Sequence, residues 1–307
     1  MTHTPLPEDE AARRRAGLLL GTASYVFWGF MPLFFALAAP ASSLEILAHR
    51  IVWSLVFCLI LLTGARGFGR VLAAVRSPRL LGTLALASAI VACNWFAFLY
   101  GVKVNRVLEI SLGYFINPLV TIALGVIFLH ERLRPLQWAA VGLGAAAVVV
   151  IAAGYGHMPW LSLAVAFSFG TYGLVKNRVG GRVGALEGLT IETAVLTPPA
   201  LVVIGVLAAT GHSHFGSAGL GHAGIMMLLG PLTAIPLIMF SGATRRVPLS
   251  WVGMLQYIAP TMQFVLGTLV FHEAMSTTRW IGFIIIWATV GLIIADMLRA
   301  SRRGRRR

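Results

Sequence analysis

Acidic residues are scarce in this chain: Asp and Glu number ten among 307 residues, against 24 Lys and Arg, and charged residues of both signs make up only 11%. A water-soluble domain needs roughly a quarter of its residues charged to cover its surface, so a soluble fold is excluded. Cysteine is nearly absent. Cys58 and Cys93 both lie within apolar runs, which excludes a disulfide framework or a Cys-type metal centre and leaves them as small buried hydrophobes. There is no Walker loop, so ATP does not drive the protein directly. His130-Glu131 and His272-Glu273 lack the second His four residues on that a zinc protease needs. No cofactor, no metal and no enzymatic reaction are therefore expected. A cleavable leader is not expected either: the polar start ends in Arg13-Arg14-Arg15, and the apolar stretch after it is long enough to be a retained first helix.

What the chain has in abundance is apolar length, with 58% hydrophobic residues. Runs of roughly 17 to 23 residues, enough for a helix to cross about 30 Å of hydrocarbon, recur along it. They predict ten spans, at Ala16 to Ala38, Glu45 to Thr63, Leu80 to Gly101, Val107 to Leu129, Leu136 to Ala153, Trp160 to Val175, Glu187 to Ala208, Ala223 to Thr244, Leu249 to Val270 and Trp280 to Leu298. The connections are short and rich in Gly, Pro, Arg and Ser, leaving no room for a soluble domain. The expected fold is an all-α membrane protein.

The net charge of +14 raises the question of nucleic acid, but the basic residues sit in loops and tails. With the N-terminus inside, 20 of the 24 fall on the cytoplasmic side, only Lys103, Arg106 and Arg279 fall outside, and Arg50 lies within a span. Lys and Arg next to spans stay cytoplasmic, so both termini are expected there. The basic tail, residues 299–307, reads as a topology signal and a contact for anionic lipid. Membrane lipid and a small-molecule solute are the expected partners, nucleic acid is not, and a homo-oligomer is left open.

A shift of 142 residues brings the halves into register: Leu44-Glu45 falls on Leu186-Glu187, Arg50 on Glu192, Pro118 on Pro260, His130-Glu131 on His272-Glu273 and Trp138 on Trp280. Trp28-Gly29 meets Tyr172-Gly173 at an offset of 144. After a cytoplasmic tail of residues 1–15, each half, 16–153 and 160–298, then carries five spans. An odd number turns the second unit upside down in the membrane. Inverted repeats underlie many secondary transporters, because two like bundles in opposite orientation can open a midplane site to either side in turn. The alternative class is a lipid flippase or membrane scaffold on the same fold.

Several segments resemble the RarD subfamily of EamA-type drug/metabolite transporters: Glu45-Ile-Leu-Ala-His49-Arg50-Ile-Val-Trp53-Ser54, Asn94-Trp95, Glu109-Ile-Ser111-Leu-Gly113-Tyr114-Phe115-Ile-Asn117-Pro118-Leu119, Ala166-Phe167-Ser168-Phe169, Tyr172-Gly173-Leu174-Val175, Ile191-Glu192-Thr193 and Gln256-Tyr257-Ile258-Ala259-Pro260-Thr261. The resemblance runs from Gly17 to Asp296. It implies ten helices as two EamA repeats in the inner membrane of a bacterium, and export or exchange of small metabolites or drugs. His130 and His272 depart from it, standing where Gly or another small residue is expected before the Glu, and Ala259 stands where Gly is common.

A charge inside a span is expensive, about 2.5 kcal/mol or more, so each one needs a partner, a cavity or a role. Glu45, His49, Arg50 and Glu192 are the candidates for gating or coupling, with His49 near a carboxylate as the titrating element and Arg50 with Glu192 as an ion pair across the repeat axis. For Glu45 the plainer reading is a carboxylate favoured at a helix start. Trp28, Asn94, Trp95, Tyr114, Asn117, Tyr172, Gln256 and Tyr257 are the candidates for binding solute; as neutral polar or aromatic groups they equally suit helix-to-helix contacts. Pro118 and Pro260 are expected to interrupt the fourth and ninth helices beside a central site.

Overall fold

The computed structural model describes residues 7–129, 135–156, 158–179, 182–244, 246–247 and 255–304. His130-Glu131, most of the first half of the ninth expected span and the end of the basic tail lie outside the described residues. Helix is the only regular structure among those described, as lipid requires, because an apolar segment there must satisfy its backbone polar groups internally. In chain order the helices are α1 (Pro7–Gly29), α2 (Met31–Ala36), α3 (Ser43–Gly64), α4 (Phe68–Val75), α5 (Pro78–Lys103), α6 (Val107–Leu129), α7 (Pro135–Tyr155), α8 (Trp160–Val179), α9 (Ala185–Ala209), α10 (Leu220–Thr244), α11 (Ile258–Leu269) and α12 (Thr277–Gly304).

Eight membrane-length apolar segments stand out among the described residues: α1 continued by α2, then α3, α5, α6, α7, α9, α10 and α12. The sixth and ninth expected spans fall on α8, whose last turns carry Lys176 and Arg178, and on α11, with 12 residues. Trp138, Trp160 and Trp280 sit exposed at helix starts, where an indole is suited to the headgroup layer. The helix α4 was not expected. Its Phe68, Leu72 and Val75, spaced i, i+4 and i+7, form an exposed apolar stripe beside Arg70, the pattern of a helix lying in the membrane interface.

The helix pair α3 and α9 lies at the centre. Around it α3 packs on α10 and α9 on α5, α8 packs on α5 and α6, α1 packs on α10 and α11, and the pairs α6/α11 and α7/α12 complete the bundle. Exchanging α1, α3, α5, α6 and α7 for α8, α9, α10, α11 and α12 turns this set of contacts into itself.

Three expectations need correction. The helix α6 runs unbroken through Pro118, since neighbouring helices in a bundle can absorb one missing backbone bond. Likewise α9 runs through Pro198 and Pro199. Pro260 lies in the first turn of α11, where its missing N–H has no intrahelical partner to lose; the turn at Gln256 and Tyr257 just before it is the actual irregularity. Cys58 is buried as expected, but Cys93 is exposed on the helical surface.

His272 adopts a left-handed φ of 51°, which explains why Gly suits this position: any side chain there meets the adjoining carbonyl. His272→Gly is expected to stabilise the protein by about 1 kcal/mol, read as a higher unfolding temperature in detergent. A lowered one would mean that the histidine makes a compensating contact.

Candidate functional site

Glu45 lies in the first turn of α3, whose N-cap is Ser42, with the Ser42 hydroxyl accepting the Glu45 N–H at 3.1 Å. Its carboxylate is buried and accepts four bonds from the segment after α9: the His214 N–H at 2.6 Å, the His214 ring Nδ1 at 3.0 Å, the Phe215 N–H at 3.1 Å and the Ser213 hydroxyl at 3.2 Å. Glu187 lies in the first turn of α9 and accepts from Arg70 Nε at 2.5 Å, on the helix that follows α3. Each central helix thus opens with a Glu that holds the segment following the other. The two helices run antiparallel, and the latches sit at opposite ends.

The Glu45 end carries further ties. The Glu273 carboxylate accepts the N–H groups of Val107 and Leu108, capping α6 from the segment after α11. Glu109 accepts the Leu161 N–H at 3.0 Å and pairs with Arg106 at 2.6 Å. The Asn105 side chain donates to the Phe271 carbonyl at 3.1 Å, and His222 Nε2 lies 2.9 Å from the Ala38 carbonyl. Burial raises the Glu273 carboxyl to about 7 from an ordinary 4.5, with Glu109 adding to the rise and the two capped N–H groups and Arg279 opposing it. A carboxyl whose pKa is raised by folding stabilises the fold below its unfolded pKa and loses that contribution as pH climbs through its folded value. Unfolding temperature is therefore expected to drop between about pH 4.5 and pH 7 through this group. In Glu273→Gln that part of the slope should vanish; an unaltered slope would assign it to another group.

Towards the middle of the bundle Arg50 is buried among α2, α5, α6 and α10. Its Nε donates to Thr233 Oγ1 at 2.8 Å, and its guanidinium lies 4.2 Å from the Trp95 ring centre and 5.3 Å from that of Phe35. Such cation–π contacts partly replace lost hydration. Asn94 donates to the Val165 carbonyl at 3.1 Å and to Ser168 at 3.0 Å, and accepts from the Tyr114 hydroxyl at 3.3 Å, joining α5, α6 and α8. Rings continue from Tyr114 through Phe169 to Tyr172, at 6.0 Å per step. Tyr172 donates to Glu192 at 3.1 Å, and Lys176, one turn further along α8, donates to the same carboxylate at 2.5 Å.

The expected pairing of Arg50 with Glu192 is therefore overturned. Lys176 and Tyr172 neutralise Glu192, while Arg50 is met by Thr233 and aromatic rings. Among the described residues His49 hydrogen-bonds neither carboxylate and its Nε2 has no partner; it stacks on Phe215 at 4.4 Å. Trp28, Trp95, Tyr114 and Tyr172 join one continuous apolar core with Phe35 and Phe98. Tyr257 lies apart, stacked on Phe115 in a second core, and Gln256 lies in the turn beside it. Asn117 is buried, and its Oδ1 has no partner among the described residues. The sequence reading missed Thr233 and Phe35, which carried no signal, and took Lys176 for a loop cation, although it stands one turn from Tyr172.

No group of three or more His, Cys, Asp or Glu suited to a metal occurs among the described residues. Residues 15–153 match the EamA-like transporter family. Protein RarD of Streptomyces exfoliatus is 50% identical over 294 residues, covering 96% of this chain and 93% of that protein. An uncharacterized transporter of Bacillus subtilis, YojE, is 39% identical over 95% of this chain and 97% of its own length. One crystal structure, 18% identical, shares the fold with a TM-score of 0.61 over 92% of this chain and 99% of its own.

Proposed function

Because the chain belongs to the EamA family of drug/metabolite transporters, in its RarD subfamily, and is a multi-pass protein of a bacterial inner membrane, we propose that it carries small metabolites or drugs across that membrane by alternating access. Two five-span units, residues 16–153 and 160–298, rock against each other about the α3/α9 pair, and an ion gradient or counter-solute gives the direction, outward for an exporter. The observation that carries this reading is the reciprocal latch. Glu45 holds the segment after α9 and Glu187 the helix after α3, at opposite ends of one antiparallel pair, so each end has its own contacts to make and break. The exchange symmetry of the helix contacts supports the same two units.

In this reading the Arg70 end, with its excess of basic residues, is cytoplasmic together with both termini. The Glu45 end then faces out and is the more heavily tied, so the conformation described is closed to the outside. Purified protein in liposomes is expected to move solutes without ATP. A broad panel of metabolites and drugs that shows no flux with correctly folded protein would sink the proposal, as would chain ends labelled from different sides of the membrane.

A further inference from the structure

Arg50 is 7% exposed and differs from the other interior charges in having no carboxylate to meet it. Its only hydrogen bond runs from Nε to Thr233, which leaves both terminal nitrogens without an acceptor among the described residues. A buried cation left this way costs several kcal/mol unless an anion arrives. The described acidic side chains of the spans and their connections are meanwhile engaged: Glu45 with the segment after α9, Glu109 with Arg106, Glu187 with Arg70, Glu192 with Lys176, Glu273 with the start of α6, and Asp296 as well. The interior thus offers a free positive fork and no free carboxylate for a solute ammonium.

Resting on the carrier reading above, we propose that Arg50 binds the carboxylate of an organic solute whose apolar or aromatic body lies against Trp95, Tyr114 and Phe98. The fork geometry supports this. Thr233 fixes Nε, the Trp95 and Phe35 rings cover the guanidinium, and the terminal nitrogens present parallel N–H groups at the spacing of a carboxylate's two oxygens. The wall for the body is continuous: Phe35 meets Phe98 at 5.7 Å, and Phe98 meets Tyr114 at 6.0 Å. An aliphatic or aromatic acid fits both parts, a neutral analogue fits the wall alone, and an amine meets repulsion.

The test uses the full chain in detergent with three matched probes, phenylacetate, phenylacetamide and phenethylamine, followed by tryptophan fluorescence and unfolding temperature. The acid is expected to bind about tenfold or more tighter than the amide, and the amine more weakly than either. Arg50→Gln should abolish the preference for acid over amide, and Arg50→Lys, which keeps the charge but loses the fork, should retain part of it. If Arg50→Gln does not fold, the ranking of the three probes on the unaltered protein still decides: an acid bound no tighter than its amide overturns the proposal. Chloride and phosphate form a separate arm, and competition by either as strong as that of phenylacetate, with no gain from the ring, would assign Arg50 to an inorganic anion and overturn it too. The carrier reading fails separately. Acid preference without flux of any solute would leave the anion site standing and sink transport, whereas undiminished flux of carboxylates by Arg50→Gln would keep transport and sink the site.

Discussion

Replacing Gly230 by alanine is expected to destabilise the protein by about 3 kcal/mol and to loosen the Arg50 site with it. Gly230 lies where α10 crosses α3. A Cβ there would fall on the main-chain carbonyl of Trp53 and within 2.8 Å of the Ser54 nitrogen. Backbone cannot swing aside as a side chain can, so the helices must part. Thr233 stands three residues on from Gly230, and the close crossing is what brings its hydroxyl to Arg50 Nε. The same helix supplies a control: Gly224 has open space where a Cβ would stand, so Gly224→Ala should be neutral or stabilising by up to about 1 kcal/mol. Equal unfolding temperatures for the two variants would show that the crossing is looser than described.

Glu45→Gln should release the segment after α9, at a cost of about 2 to 3 kcal/mol to the conformation closed at that end. The amide preserves shape but turns one acceptor oxygen into a donor facing groups that themselves donate. A cysteine placed at Ser43, buried two residues before Glu45, would then be alkylated faster. Glu187→Gln should act in the opposite sense and more weakly. Its partner Arg70 is 63% exposed, and an exposed pair contributes about 1 kcal/mol or less. The contrast is what matters: both substitutions raising the labelling rate at position 43 would show that the two carboxylates do not oppose each other.

Much of this was readable from residue types alone. The membrane fold followed from apolar length and charge scarcity, because hydrocarbon imposes the same demand on every turn of backbone. The first-turn position of Glu45 and Glu187 was visible in the repeat, but not their ligands, which lie 168 and 117 positions away in the chain. The Arg50 surroundings were out of reach for the same reason, its hydrogen bond to Thr233 spanning 183 positions. Equivalence under the repeat suggested that Arg50 and Glu192 pair. Equivalent positions need not touch, however, and Lys176 lay closer to the carboxylate through a turn of α8. Pro118 misled for a different reason: one missing backbone bond signals a break in an isolated helix, whereas packed neighbours let α6 continue.

Arg70 serves two masters. It projects from α4, a helix whose Phe68, Leu72 and Val75 stripe suits it to rest among lipid headgroups, and it also grips Glu187. A phosphodiester in that leaflet is a rival acceptor for the same guanidinium. Bilayers rich in phosphatidylglycerol or cardiolipin should therefore draw Arg70 away and ease that end open, while zwitterionic bilayers leave it fastened, so that the lipid mixture itself becomes a throttle on turnover.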